Sequence, residues 1–200
     1  MKREKMNRWM VTAVVLTVFM GLISGCGGKE AKTEAHIEGS AGLEYTLSED
    51  GTYYIFTSRG TCTDTDVVIG NWHDGKPVKE IAAQASNIEA QQEKWKVNSI
   101  TVSTGVTVYN FGSLWCTETT KIVLSDNAEE LPQAMMLGNP NLKEVVIGKG
   151  LKSAGPDVFE NMTLDTIYFR GSEKEWNEID INPVGNDAFF EAEIVFDYKD

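Results

Sequence analysis

Leu142-Lys143-Glu144-Val145-Val146-Ile147-Gly148-Lys149-Gly150-Leu151 is the stretch that decides the fold of this chain. A leucine stands three residues before an apolar triplet, a glycine turn closes the triplet, and another apolar residue follows. The same order recurs. Ile100-Thr101-Val102, Ile122-Val123-Leu124, Val145-Val146-Ile147 and Ile167-Tyr168-Phe169 start 22, 23 and 22 residues apart, and Ile194-Val195-Phe196 follows after 27. Ser103-Thr104-Gly105 and Ser125-Asp126-Asn127 match the turn, and Val106 and Leu131 match the apolar residue after it. Ala134-Met135-Met136 and Val158-Phe159 fill the later part of two units. Leu164 repeats the leading leucine, with Thr119 as a polar exception. A fixed period of about 20–29 residues marks a solenoid that lays down one short strand per coil. One coil cannot bury its own apolar face, so the coils must stack.

Successive side chains of a strand face opposite ways. Stacking the triplets therefore predicts Ile100/Val102, Ile122/Leu124, Val145/Ile147, Ile167/Phe169 and Ile194/Phe196 inside. The middle residues Thr101, Val123, Val146, Tyr168 and Val195 then form an outward row, four of the five apolar or aromatic. Lys121, Glu144 and Thr166 flank it on one side, and Ser125, Gly148, Arg170 and Asp197 on the other. Val and Tyr favour strands in any case, yet an exposed apolar stripe with a polar rim is also what a partner site looks like. Thr101, Val123, Val146, Tyr168, Val195, Lys121 and Arg170 are the candidate partner-binding residues.

The ends of the stack read differently. Residues 43–79 lack the period and predict a β-rich cap: Leu43, Tyr45 and Leu47 alternate, Glu49-Asp50-Gly51-Thr52 turns, and Tyr53-Tyr54-Ile55-Phe56 returns as a hairpin. Val67-Val68-Ile69 predicts another strand, and His73-Asp74-Gly75-Lys76-Pro77 another turn. Repeats are expected over residues 80–170, with a helical insert at Ala82–Trp95. Residues 171–200 read as a helix-plus-strand cap. There Ser172 and Glu175 form a capping box, Trp176 and Ile179 present an apolar edge, and Gly185-Asn186-Asp187 turns toward the last strand.

Ahead of these lies a targeting pattern. Lys2, Arg3, Lys5 and Arg8 form a basic region, Val11 to Ile23 is apolar but short for a membrane span, and Ile23-Ser24-Gly25 precedes Cys26. The Ile-Ser-Gly-Cys ending resembles a bacterial lipobox, which implies removal of residues 1–25 and acylation of Cys26. Each buried CH₂ of an acyl chain contributes about 0.8 kcal/mol to anchoring. Residues 26–42, polar and glycine-rich with Ile37 their one large apolar residue, predict a flexible tether. Removing residues 1–25 takes four basic residues and one acidic residue from the chain's 18 and 30, leaving 14 against 29. Such acidity disfavours nucleic acid and anionic lipid headgroups as partners and suits cationic protein patches, besides aiding solubility.

Catalytic patterns are scarce. His36 falls in the tether and His73 in a cap turn, and there is no His-Glu-x-x-His, Gly-x-Ser-x-Gly or phosphate-binding loop. Asp64 and Asp66 lack the remaining ligands of a calcium loop. Glu129-Glu130 and Glu173/Glu175 read as solvated turns and caps. No cofactor or metal is expected. Five tryptophans would suit a carbohydrate, but Trp9 is in the leader and Trp176 in a cap, so no shared stacking platform supports one.

Leu43-Glu44-Tyr45 through Asp74-Gly75-Lys76-Pro77-Val78, the Asn139-Pro140-Asn141-Leu142-Lys143-Glu144-Val145-Val146-Ile147 run, and Gly171-Ser172-Glu173-Lys174-Glu175-Trp176-Asn177 followed by Gly185-Asn186 resemble the BspA-like, treponemal-type leucine-rich repeats of bacterial surface proteins. The likeness covers about residues 43–198, with Ser113 and Met136 standing where that family prefers Phe. It implies an α/β-type leucine-rich-repeat solenoid with short parallel strands. Cys62 and Cys116 are enough for one disulfide, but Cys116 sits where this repeat type often places a small buried side chain, so two separate buried thiols are expected. The resemblance also implies a non-catalytic, extracytoplasmic, lipid-anchored protein of the bacterial cell surface that binds protein or acts in adhesion. The alternative is a structural or assembly module of an envelope complex, or a self-associating surface protein.

Overall fold

The structure is a computed structural model and describes residues 35–85, 97–116 and 118–200. The leader and Cys26 lie outside the described residues, as does the expected insert helix beyond Ala85. His36 stacks on Trp72 with ring centroids 3.6 Å apart. The Ile37 amide donates to Asn71 Oδ1 at 2.8 Å, the Ser40 amide donates to the Val68 carbonyl at 2.8 Å, and the Val68 amide donates to Ser40 Oγ at 3.1 Å. Residues 36–40 thus lie along a strand edge, which corrects the expectation of a flexible tether up to residue 42. Their composition is that of a linker, but main-chain hydrogen bonds need no apolar side chains.

The predicted hairpin is present. Strand β1 (Glu44–Leu47) pairs antiparallel with β2 (Tyr54–Ser58), and Ser48 and Asp50 side chains tie the turn between them. Strand β3 (Asp66–Ile69) follows, then the short hairpin of β4 (Trp72–His73) and β5 (Lys76–Ile81), with β5 running parallel to β2. Strand β3 does not belong to this capping sheet. It pairs in parallel with β6 (Ser99–Val102), Val67 opposite Ile100, and so opens the stack one coil earlier than the period indicates. The insert lengthens that coil and hides its membership.

The stack continues in register through β7 (Lys121–Val123), β9 (Glu144–Ile147), β11 (Thr166–Phe169) and β13 (Glu193–Val195), giving a six-stranded parallel sheet. Ile100, Ile122, Val145 and Ile167 align as predicted, and all four are fully buried together with Val102, Leu124, Ile147 and Phe169. Ile194 and Phe196, on the last coil, are partly buried against this core. Each such side chain contributes about 1.5–3 kcal/mol by leaving water. On another side of the coils, β8 (Glu130–Leu131), β10 (Ser153–Ala154) and β12 (Asp180–Ile181) form a second, narrower parallel sheet.

Two devices turn the chain between these sheets. Gln84, Gly112, Ala134, Asp157 and Gly185 all adopt positive φ of 54°, 59°, 54°, 60° and 68°. Their amides link consecutive coils: Gly112 donates to the Ala134 carbonyl, and Ala134 to the Pro156 carbonyl. The second device is a buried asparagine. Asn139 Nδ2 donates to the Leu114 and Met136 carbonyls at 2.6 and 2.9 Å, while its Oδ1 accepts from the Cys116 amide. Asn186 plays the same part later, accepting from the Phe159 amide and donating to the Gly155 and Asn182 carbonyls.

The far end is sealed by aromatics. Helix α1 (Glu173–Trp176) starts with the predicted capping box: Ser172 Oγ accepts from the Glu175 amide, and Glu175 Oε2 accepts from the Ser172 amide at 2.8 Å. Helix α2 (Asp187–Glu191) brings Phe189 flat against Trp176 with centroids 4.6 Å apart, and Phe169 meets the indole edge-on. Cys62 and Cys116 are both buried and unbridged, as expected of separate thiols.

Candidate partner-binding strand face

The open face of the six-stranded sheet carries the predicted row. Thr101, Val123, Tyr168 and Val195 are half-buried and stand side by side in register. Val146 does not share their exposure: it is fully buried. The reason lies on the two neighbouring strands. Lys121 Nζ sits 5.5 Å from the centre of the Tyr168 ring. Their strands, β7 and β11, flank β9 and are separated by about 9.5 Å. Tyr168 and Lys121 can meet only across β9, directly over Val146 and Glu144. The stripe is therefore a half-covered surface with its centre closed.

The polar rims are engaged as well. Lys121 Nζ lies 3.1 Å from Glu144 Oε2. Burial of its stem opposes the charge, but the Glu144 hydrogen bond and carboxylate outweigh this, with Tyr198 and Tyr168 adding to them, and the lysine pKa rises above its ordinary value. Arg170, its side chain only 18% exposed, reaches over Gly148 to Asp126 Oδ1 at 2.6 Å and also holds Asp200. Partial burial disfavours the guanidinium charge, and the two carboxylates more than offset that. Gly148 is needed at this crossing: a Cβ there would stand 2.4 Å from the Asp126 Cα. Ser125, expected on the same rim, is buried, its amide donating to the Tyr109 hydroxyl at 3.0 Å.

Sequence reasoning missed Asp126, Tyr198 and Asp200. None falls in the triplet: Asp126 lies in a recurring turn whose residue types vary, and Tyr198 and Asp200 follow the last strand. It also expected an exposed apolar stripe on this face, whereas more exposed apolar side chains stand elsewhere. Among the described residues the exposed large apolar side chains are Val184 (61%), Phe190 (57%), Phe111 (47%), Val108 (45%), Leu47 (41%) and Ile37 (39%), all outside the strand row.

The remaining candidates have packing roles. His73 is stacked on Tyr45 at 4.2 Å and met edge-on by Tyr54 at 4.8 Å. The Tyr45 hydroxyl is buried, and its pKa is raised by desolvation first and by Glu38 and Cys62 after it. Asp66 accepts a hydrogen bond from Ser99 Oγ at 2.7 Å. Among the described residues no group of three or more His, Cys, Asp or Glu is placed to hold a metal ion. No described helix is long and apolar enough to cross a membrane.

No protein-family model matches the chain, and no curated protein does. Among solved structures it is similar to a leucine-rich repeat protein of T. pallidum, with a TM-score of 0.55 and 21% identity over 74% of this chain and 64% of that one. It is also similar to a leucine-rich cell surface protein of Faecalibacterium prausnitzii, with a TM-score of 0.53 and 19% identity over 74% of this chain and 43% of that one. The chain thus spans less than two thirds of either protein. At these identities the likeness establishes the architecture, and that architecture is the leucine-rich-repeat solenoid.

Proposed function

We propose that the chain is a non-catalytic, lipid-anchored cell-surface protein that binds another protein through the open face of its six-stranded sheet. The observation that carries this reading is the in-register row of Thr101, Val123, Tyr168 and Val195, half-exposed and bordered by Lys121, Glu144 and Arg170. Rigid strands hold the row, and an apolar centre with a charged rim is the usual anatomy of a protein interface. Surface location draws support from the Faecalibacterium neighbour, which is described as a cell surface protein. The anchor rests on the lipobox-like sequence ending at Cys26.

Self-association or assembly into an envelope complex is the second reading. Its support is at the far end of the stack, where β12 and β13 are the outermost strands of their sheets and Ile179, Ile181, Phe190 and Ile194 line an apolar groove. Capture of a protein from the native extracellular medium, by wild type and by Val123→Asp and Tyr168→Asp, separates the two. Loss of capture with an unchanged unfolding midpoint supports the strand face, and undiminished capture refutes it. Loss of dimer on Phe190→Asp supports the second reading. Val146→Asp is unsuitable because it would bury a charge and unfold the stack. A Cys26→Ser protein that still fractionates with membranes would refute the anchor.

A further inference from the structure

Residues 197–200 lie on the strand face. Pairing of β13 with β11 ends at Val195, and Asp197 then takes φ +53°, a left-handed turn conformation that Asp tolerates better than most non-glycine residues. Its amide donates to the Gly171 carbonyl at 2.8 Å, and the Tyr198 amide donates back to the Phe169 carbonyl at 3.0 Å. The chain has doubled toward β11. The Tyr198 ring consequently rests 4.6 Å from the Tyr168 ring, and the Asp200 carboxylate binds the Arg170 guanidinium.

These contacts have the character of a ligand more than of a core. Tyr198 is half-exposed, Lys199 is exposed, and the Asp200 side chain is 68% exposed, so their ion pair and ring contact are open to competition from water and salt. Arg170 is the opposite. It is largely covered, and it pairs with Asp126 through a different guanidinium nitrogen from the one that meets Asp200. A planar guanidinium fixed on one carboxylate keeps donors directed at a second. Tyr168, steadied by Lys121, offers a ring face 5.5 Å from the ammonium. The local chemistry thus selects an aromatic ring followed closely by a carboxylate, against the acidic balance of the chain as a whole.

We propose that the Tyr168–Arg170 end of the strand face is a docking site for an aromatic–acidic segment of a protein partner, and that Tyr198 and Asp200 are its resident occupant, which the partner displaces. This deepens, and rests on, the strand-face reading of function. This segment is an intramolecular competitor at an effective concentration in the millimolar range. Against a peptide of about 0.1 mM affinity it weakens binding about tenfold.

The test titrates the acetylated and amidated peptide Phe-Asp-Tyr-Lys-Asp into the full chain, as wild type and as Tyr198→Ala/Asp200→Ala, following chemical shifts of Tyr168 and Arg170. The unlatched variant should bind at least about tenfold tighter than wild type, and a peptide with Tyr replaced by Ala and Asp by Asn should not bind. Adding Arg170→Gln, which removes the guanidinium that the peptide carboxylate would bind, should abolish binding. Lys121→Gln serves the same purpose if that variant does not fold. Equal binding by wild type and unlatched chains, or none by either, overturns the proposal. Partner capture that depends on Val123 and Tyr168 but ignores the peptide would leave the strand-face reading standing and this one refuted. Peptide binding to the unlatched chain with capture indifferent to Val123 would do the reverse.

Discussion

Replacing Asn139 with alanine removes the joint between two coils. The side chain is fully buried. Its loss takes the Asn139 Oδ1 acceptor from the Cys116 amide and deprives the Leu114 and Met136 carbonyls of their Nδ2 donor. An unpaired buried amide costs about 1–3 kcal/mol, and each carbonyl, with a second lone pair, about 1. The sum is about 3–5 kcal/mol, a third or more of the stability of an ordinary domain. For a domain of this size that lowers Tm by about 10 °C and the urea midpoint by about 1.5 M. Chemical unfolding followed by tryptophan fluorescence measures it. Asn139→Asp is the informative companion: it keeps the Oδ1 acceptor but turns two donors into a carboxylate facing two carbonyls. It should be at least as damaging at neutral pH and partly rescued in acid, when the carboxyl regains a proton to donate. A midpoint lowered by less than about 0.3 M in Asn139→Ala would refute the account of how the coils are joined.

Gln84 is exposed and left-handed at φ 54°, so Gln84→Gly should raise stability by about 1 kcal/mol, the reverse of the usual glycine penalty, and a loss of stability would contradict the assigned turn. Ser172 holds the Glu175 carboxylate through its amide and hydroxyl, and its pKa is lowered from the ordinary 4.5. That contribution is present above pH 4.5 and is lost as pH falls through the depressed value. Wild type should therefore lose Tm relative to Glu175→Gln between pH 6 and pH 3, and a flat difference would rule the cap out as an acid-sensitive element. Cys62 and Cys116 should resist a thiol reagent in the native state and both react in denaturant without reductant. Failure of either to react in denaturant would indicate a bridge.

The parts of this fold that can be read from the sequence are those with a local physical cause. Ile122 and Leu124 are buried because alternate strand positions must face one way. Ser172 and Glu175 cap α1 because both partners lie within one turn. The reading fails where neighbours distant in sequence decide. Val146 has the same place in its triplet as Val123, yet it is closed over by Tyr168 and Lys121 from strands on either side. Strand β3 escapes the period because an insert separates it from β6, although Val67 and Ile100 pair like any other coil. Residues 36–40 have the composition of a linker and are held by main-chain bonds to Val68 of β3 and Trp72 of β4. The left-handed turns were invisible because Gln84, Ala134 and Asp157 occupy positions where glycine would have announced them. The clasp of Asp126, Arg170 and Asp200 joins three turns with no shared spacing.

A photo-crosslinking amino acid placed singly at Thr101, Val123 or the exposed Lys152, on the narrower-sheet side of the coils, tests the central claim most directly. In the native extracellular medium the account predicts one protein adduct from positions 101 and 123 and none from 152. Adducts from 152 alone, or equal adducts from all three, would contradict it.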